Sequence, residues 1–193
     1  MAICIARHGE TAWNNSGILQ GWTDVPLNDK GREQSAEMAQ AFEQEGFASV
    51  WSSPLIRASE SAGIIAHRLK LAPPRLHEGL KERHFGVIQG IPKVELAELN
   101  PLLLQQIVMR NPAADFEGGE PIDEFADRVM NAVHEIGTLA AGSPALLITH
   151  GWVMDVLIRH VRGLPRDAVM HTKPKNGETL WVALEAGEIR ARG

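Results

Sequence analysis

The chain has 193 residues, a net charge of −5, a single cysteine and ordinary charged and apolar fractions. That length suits one domain, residues 1–193, with a sizeable core; the charge argues against general nucleic-acid binding, so an anionic ligand would need a local basic pocket. One cysteine excludes an intrachain disulfide, no apolar run reaches membrane-spanning length and no secretory signal is visible, so the expectation is a cytoplasmic enzyme or binding protein.

The first element is a short apolar run, Ile3 to Ala6, that ends abruptly in Arg7-His8-Gly9. It reads as a buried strand, and in an open α/β sheet ligands sit outside the carboxyl ends of strands. Cys4 falls inside the run and reads as a small buried hydrophobe. A Gly- and Asn-containing stretch follows, Glu10 to Leu27, irregular enough to be a functional loop. Within it, Asn14 is placed either to bond a ligand oxygen or to fix a turn. Asn28 can cap a helix running to about Glu45, with Gly46 as its stop. Ala48 to Ser52 reads as a second strand, and Ser53-Pro54 as the cap and first-turn proline of the next helix. Arg57 then sits in that helix's first turn, where its charge opposes the helix dipole unless an anion is bound there.

Leu76 to Gly86 mixes apolar and charged residues without period, with Glu82 between Lys81 and Arg83. Taken alone, such a run is usually a solvated face. Residues from about 90 to 120 read as an insertion holding two short helices, opened by Pro92 and Pro101 and the second capped by Asn100. Pro121 opens the cleanest helix, with Phe125, Val129, Ala132, Val133, Ile136 and Leu139 on one face. Ala145 to Thr149 repeats the opening device, a buried strand ending in His150-Gly151. A further helix through Val153 and Leu157, a strand over Thr179–Leu184 and a last short strand after Gly187 complete the chain. His67, His134, His160 and His171 read as structural or exposed. The alternation predicts a three-layer αβα sandwich, with a mostly parallel central sheet and a short helical cap insertion.

Arg7, Arg57, His8, His150 and Glu82 are the parts that phosphoryl transfer through histidine requires. The phosphoryl group in flight spreads negative charge over its equatorial oxygens, and guanidinium and imidazole donors can meet it. One imidazole can be the nucleophile if it is neutral, and a neighbouring Arg helps keep it so. Glu82 could give the leaving alkoxide its proton. Neither a metal nor a cofactor is needed, and the spacings of a zinc site and of a nucleotide-binding Gly-rich loop are both absent.

The run Arg7-His8-Gly9-Glu10-Thr11 with Trp13-Asn14 resembles the signature of the histidine phosphatase superfamily, in its phosphoglycerate-mutase-like branch. Ser52 to Ala58 is similar to that family's second phosphate-binding segment, and Leu80 to Gly90 to its acid-bearing segment. Glu117-Gly-Gly-Glu120, Arg128-Val129 and Thr149-His150-Gly151 complete the order, nearly end to end. The resemblance implies that His8 is the phosphorylated nucleophile and that Arg7, Arg57 and His150, with Asn14, form the phosphate pocket. It implies Glu82 as acid and then base, Gln20 and Gly21 on the substrate side, and a cap at about 90–120 that reads the substrate. Lys93 matches a substrate-binding lysine of the mutases.

There are departures. Trp152 follows His150-Gly151 where the family often has a small residue, which predicts a narrower pocket edge. Pro121 stands where many relatives carry Ser or Thr. The mutases carry a longer insertion with paired arginines, whereas the only basic residues here are Lys93 and Arg110, beside the acids Asp115, Glu117 and Glu120. The expected activity is therefore hydrolysis of a small phosphomonoester. The alternatives are a phosphoglycerate mutase primed by a bisphosphate and a silent member that binds phosphorylated ligands. The sequence leaves the natural substrate and the oligomeric state open, a homodimer included.

Overall fold

The computed structural model describes residues 1–192, and its centre is a six-stranded sheet. The strands are β1 (Ala2–Arg7), β2 (Ser49–Ser52), β3 (Arg75–Leu76), β4 (Ala145–Thr149), β5 (Thr179–Glu185) and β6 (Glu188–Ala191), in the order β3-β2-β4-β1-β5-β6. Pairing is parallel from β3 through β2 and β4 to β1, and antiparallel on to β5 and β6. The helices are α1 (Ala12–Ser16), α2 (Asp29–Ala41), α3 (Ile56–Arg68), α4 (Lys93–Leu99), α5 (Pro101–Val108), α6 (Ile122–Leu139) and α7 (Gly151–Val161).

β1 and β4 are buried along almost their whole length because helices cover both faces of the sheet. The period of two divides their side chains. Cys4, Ala6, Leu146 and Ile148 pack with Met38 and Ala39 of α2 and with Ala58, Ala62 and Ile65 of α3. Ile3, Ile5 and Leu147 pack with Phe125, Val129 and Ile136 of α6 and with Val153 and Leu157 of α7. This is the expected αβα sandwich. Cys4 is fully buried, and burial pushes its thiol up to about 12, so it serves as a small hydrophobe.

Three local expectations are corrected. The stretch after Glu10 contains α1, a single helical turn closed by a capping box between Thr11 and Asn14. The helix capped by Asn28 ends at Ala41, not near Glu45, and Gly46 lies beyond it at φ +66°. Ser53 and Pro54 stay outside the next helix, which starts at Ile56. The cap there comes from a distant loop instead: Asp24 Oδ1 accepts the Ile56 N–H at 2.8 Å. The two cap helices form as expected, with Asn100 accepting from Leu103 N–H and Pro101 in the first turn of α5.

The start of α2 is pressed against the loop after β1. A Cβ on Gly31 would lie 2.1 Å from Glu10 O, and one on Gly9 would lie 2.2 Å from Gly31 O. Gly→Ala inside a helix normally gains up to about 1 kcal/mol. Here a main-chain atom stands in the way, and forcing it aside costs about 1–3 kcal/mol. Gly31→Ala is therefore expected to lower the melting temperature by several degrees, at about 2–4 °C per kcal/mol for a chain of this size. A thermal scan in which the variant gains stability would refute this packing.

Candidate active site

The site grows out of sheet register. Arg7 pairs with Thr149 and Ser52 with Ile148, so three adjacent parallel strands end at one level. The backbone ladder runs one residue further, with His8 N–H donating to Thr149 O and Ser53 N–H to Ile148 O, both at 3.0 Å. His8, His150 and Ser53 are thereby set side by side at the carboxyl edge. The His8 and His150 rings have centroids 5.1 Å apart.

A cavity of about 310 Å³ opens at this edge. Its lining includes Arg7, His8, Asn14, Gln20, Gly21, Arg57, Glu82 and Lys93, so most of the expected residues meet there. His150 is the exception. It is fully buried beside His8, and the following Gly151 lines the cavity wall. The volume is at the low end for small-molecule sites.

The hydrogen bonds orient these groups. His8 Nδ1 lies 2.6 Å from Gly9 O, an acceptor only, so Nδ1 carries the proton and Nε2 keeps its lone pair. His8 titrates well below the usual histidine range, through burial first and then the Arg57 and Arg7 charges, and is neutral at pH 7. Ser53 Oγ accepts the Leu55 N–H and lies 2.8 Å from His150 Nε2. With one of its lone pairs taken, the hydroxyl can donate its proton to that nitrogen, the arrangement that puts the proton of neutral His150 on Nδ1. Nδ1 is buried and has no partner among the described residues. Burial and then Arg57 hold His150 well below the usual range too.

Arg57 does not stand as a free fork. Its two terminal nitrogens donate to Thr23 O and Gly21 O, and its buried Nε has no partner among the described residues. Arg7 likewise donates Nη1 to Pro174 O at 2.7 Å and keeps a buried, unpartnered Nε. Buried N–H groups without acceptors are rare and costly, and a phosphoryl oxygen is an acceptor that would relieve the cost. Asn14 Oδ1 accepts from Thr11 N–H and from Asn176 Nδ2, which frees its own NH₂ for a ligand. The same Asn176 Nδ2 donates to His8 O at 2.9 Å.

Glu82 is nearly buried, and its Oε1 accepts from the N–H groups of Arg83 and Trp152 at 3.0 and 3.2 Å. It thus supplies the side-chain cap that α7 lacks from its own N-terminal residue. Trp22 Nε1 and Arg128 Nη2 both donate to the Glu82 carbonyl. Arg128 is itself held by both carboxylate oxygens of Glu120 at 2.7 Å. These bonds tie down a segment that has no regular structure beyond two 3₁₀ turns.

The narrowing expected from Trp152 takes another form. Its indole is buried against Phe85 and Phe116 and carries the Arg110 guanidinium 4.1 Å above its ring. Arg110 also donates Nε to the buried Asp155 at 2.6 Å. Arg110 is therefore a tied structural cation at the cavity wall, while Lys93 is half-buried and forms no ion pair among the described residues. Sequence reading missed His171, Lys173 and Asn176. His171 is exposed, as expected, but it and Lys173 line the cavity.

A neutral imidazole at the cavity with a second packed beside it, two arginines with buried N–H groups left unpartnered among the described residues, and one carboxylate are a set of groups suited to holding a phosphate on an α/β fold. The comparisons agree. Residues 3–193 match the family described as the histidine phosphatase superfamily (branch 1). The chain belongs to that superfamily. It is 36% identical over 162 residues to phosphoglycerate mutase-like protein 4 of Arabidopsis thaliana, covering 83% of this chain and 70% of that protein. It is 34% identical over 157 residues to the metal-independent phosphoserine phosphatase of the same plant, covering 80% and 66%. Among solved structures, Bacillus stearothermophilus YhfR superposes with a TM-score of 0.90 at 27% identity, over 98% of this chain and 94% of that one.

Proposed function

We propose that this protein is a phosphohydrolase that cleaves a small-molecule phosphomonoester through a phosphohistidine at His8. The observation that carries the reading is the His8 ring: Nδ1–H is held by Gly9 O, leaving the Nε2 lone pair of a neutral imidazole between Arg7 and Arg57. In the first half, Nε2 attacks phosphorus while Arg7, Arg57, His150 Nδ1–H and Asn14 donate to the phosphoryl oxygens. The ester bond breaks and the alkoxide takes a proton from Glu82. In the second half, the Glu82 carboxylate takes a proton from water as that water attacks phospho-His8. Inorganic phosphate leaves, and both His8 and protonated Glu82 are restored. Gln20 and Gly21 border the leaving group, and the cap at about 90–120 covers it.

The phosphatase name of one relative supports the hydrolase reading, and the mutase-like name of another keeps the alternative in view. The electrostatic case against a mutase changes with the geometry. Glu120 is bound to Arg128, and neither Asp115, Glu117 nor Glu120 lines the cavity, so these acids do not repel a ligand's far end. What remains against a mutase is the supply of donors: Arg110 is tied to Asp155, and retention of a bisphosphate would rest on flexible lysines rather than on bidentate arginine forks.

The reading places the chain in the cytoplasm as one domain with the cap as its insertion, and it involves neither nucleic acid nor a membrane. Among the described residues no helix is long and apolar enough to cross a membrane. Nothing in the mechanism needs a second copy of the chain, so a homodimer would carry one whole site per protomer. The guanidinium groups take the part a metal would play. The test is a phosphate-release assay beside a coupled mutase assay with 2,3-bisphosphoglycerate, on protein treated exhaustively with a chelator. Phosphate release from simple monoesters should persist, with little conversion of 3-phosphoglycerate. Primer-dependent mutase turnover well above phosphate release would replace the hydrolase reading, and loss of activity restored by a divalent cation would remove metal independence.

A further inference from the structure

The cavity holds more positive charge than one phosphate can use. Arg7, Arg57, Lys93, Arg110 and Lys173 all line it, and Glu82 is its one carboxylate. Arg110 is matched by the buried Asp155. A phosphate monoester dianion would offset Arg7 and Arg57. Lys93 and Lys173 are then left over, and among the described residues neither forms an ion pair.

These two lysines come from separate parts of the chain, the start of α4 and the segment before β5. Both line the same cavity. Lys173 sits on an exposed stretch, but its ammonium meets crowded protein and the charges of Arg7, Lys93 and Arg110, and it is pushed down to about 7. Lys93 is also lowered, by burial and then by Arg110 and Arg7. An ordinary surface lysine keeps its hydration and often finds an acid. Here two lysines line one cavity, and among the described residues its lining offers no carboxylate besides Glu82. Like charges near one another without a counter-ion are unfavourable, and an anionic group on a ligand would supply the missing charge.

We propose that the substrate carries a second anionic group beyond its scissile phosphate, a carboxylate or a further phosphate, and that Lys173 with Lys93 binds it. The proposal rests on the hydrolase reading for which end of the ligand reacts. Lys173 thereby becomes a specificity-determining residue that the cap alone does not supply, because it arrives from the strand-β5 side of the cavity.

Binding can be tested apart from turnover. Calorimetry on His8→Ala protein would compare glycerol 3-phosphate with 3-phosphoglycerate, in which a carboxylate replaces a neutral hydroxymethyl group, and with propane-1,3-diol bisphosphate. At least one of the two doubly anionic ligands should bind about tenfold tighter than glycerol 3-phosphate, a difference of about 1.4 kcal/mol. The better of the two identifies the group. Lys173→Met should bring that ratio close to one, and Lys173→Arg should keep most of it. Equal affinities in the Lys173 protein would overturn the proposal without any appeal to a variant's folding, and so would a preference that survives Lys173→Met. Wild-type phosphate release, measured in parallel, reports separately on the hydrolase reading. If none of the three esters binds, the proposal falls, and wild-type phosphate release decides the hydrolase reading by itself.

Discussion

His8→Ala should release no phosphate from any monoester above background, a fall of about 10⁴-fold or more, because the variant has no atom that can take the phosphoryl group. The expectation rests on three facts about one ring. Gly9 O fixes the proton on Nδ1, so Nε2 is a lone pair in every molecule and not in a fraction of them. Burial, Arg57 and Arg7 hold the ring neutral well below pH 6.5. The sheet register sets the ring at the cavity wall, with no loop to adjust. Rapid quench with labelled substrate should give acid-labile, base-stable protein phosphate in the wild type and none in His8→Ala. The depressed ring also fixes the sign of the pH dependence. A histidine with the ordinary value would be mostly protonated and unreactive at pH 6, whereas the His8 phosphorylation rate should not fall as pH drops from 7.5 to 6. Label that persists in His8→Ala, with circular dichroism showing a folded protein, would sink the assignment.

Much of this was legible in the chain because it is carried by strands. A buried parallel strand is a continuous apolar run, and its end is marked by the first polar residue, so Arg7-His8 and His150 announced one sheet edge. Arg57 was legible for a different reason, since a cation in the first turn of a helix is misplaced unless an anion is near. What stayed hidden depends on contacts between distant loops. Ser53 looked like a helix cap, and only the fold shows that Asp24 makes the bond to Ile56 N–H while Ser53 turns to His150. The acids of the cap looked like a repelling cluster, and nothing in spacing tells that Glu120 closes on Arg128. Asn176 and Lys173 could have been found. β5 runs antiparallel beside β1, so the residues just before it must lie at the same edge as the residues just after β1. The alternation over Thr179–Leu184 predicts a strand but not its direction or neighbour, so from sequence the segment before it is indistinguishable from any other loop.

Glu82→Gln should slow phosphorylation by an alkyl phosphate about 10²-fold or more, while phosphorylation by a nitrophenyl phosphate is nearly unchanged. Glutamine keeps the shape of the side chain, and its amide oxygen can still accept from the N–H groups of Arg83 and Trp152, so the start of α7 remains capped. The carbonyl of residue 82 remains held by Trp22 and Arg128 as well. What the amide cannot do is lose a proton. An alkoxide leaving without one is a strong base and departs slowly, whereas a nitrophenolate is stable enough to leave unaided. The comparison has to be made in the first turnover, because the same carboxylate is also needed to activate water. In steady state, loss of that second role slows both substrates. With the aryl ester, Glu82→Gln should therefore give a burst of about one equivalent of nitrophenolate, followed by slow turnover and accumulation of phospho-His8. Equal losses on both esters in the burst phase would show that Glu82 is not the proton donor. A burst without accumulated phosphoprotein would show that it is not the base, and the short connection between Glu82 and the N-terminus of α7 would then be structural alone.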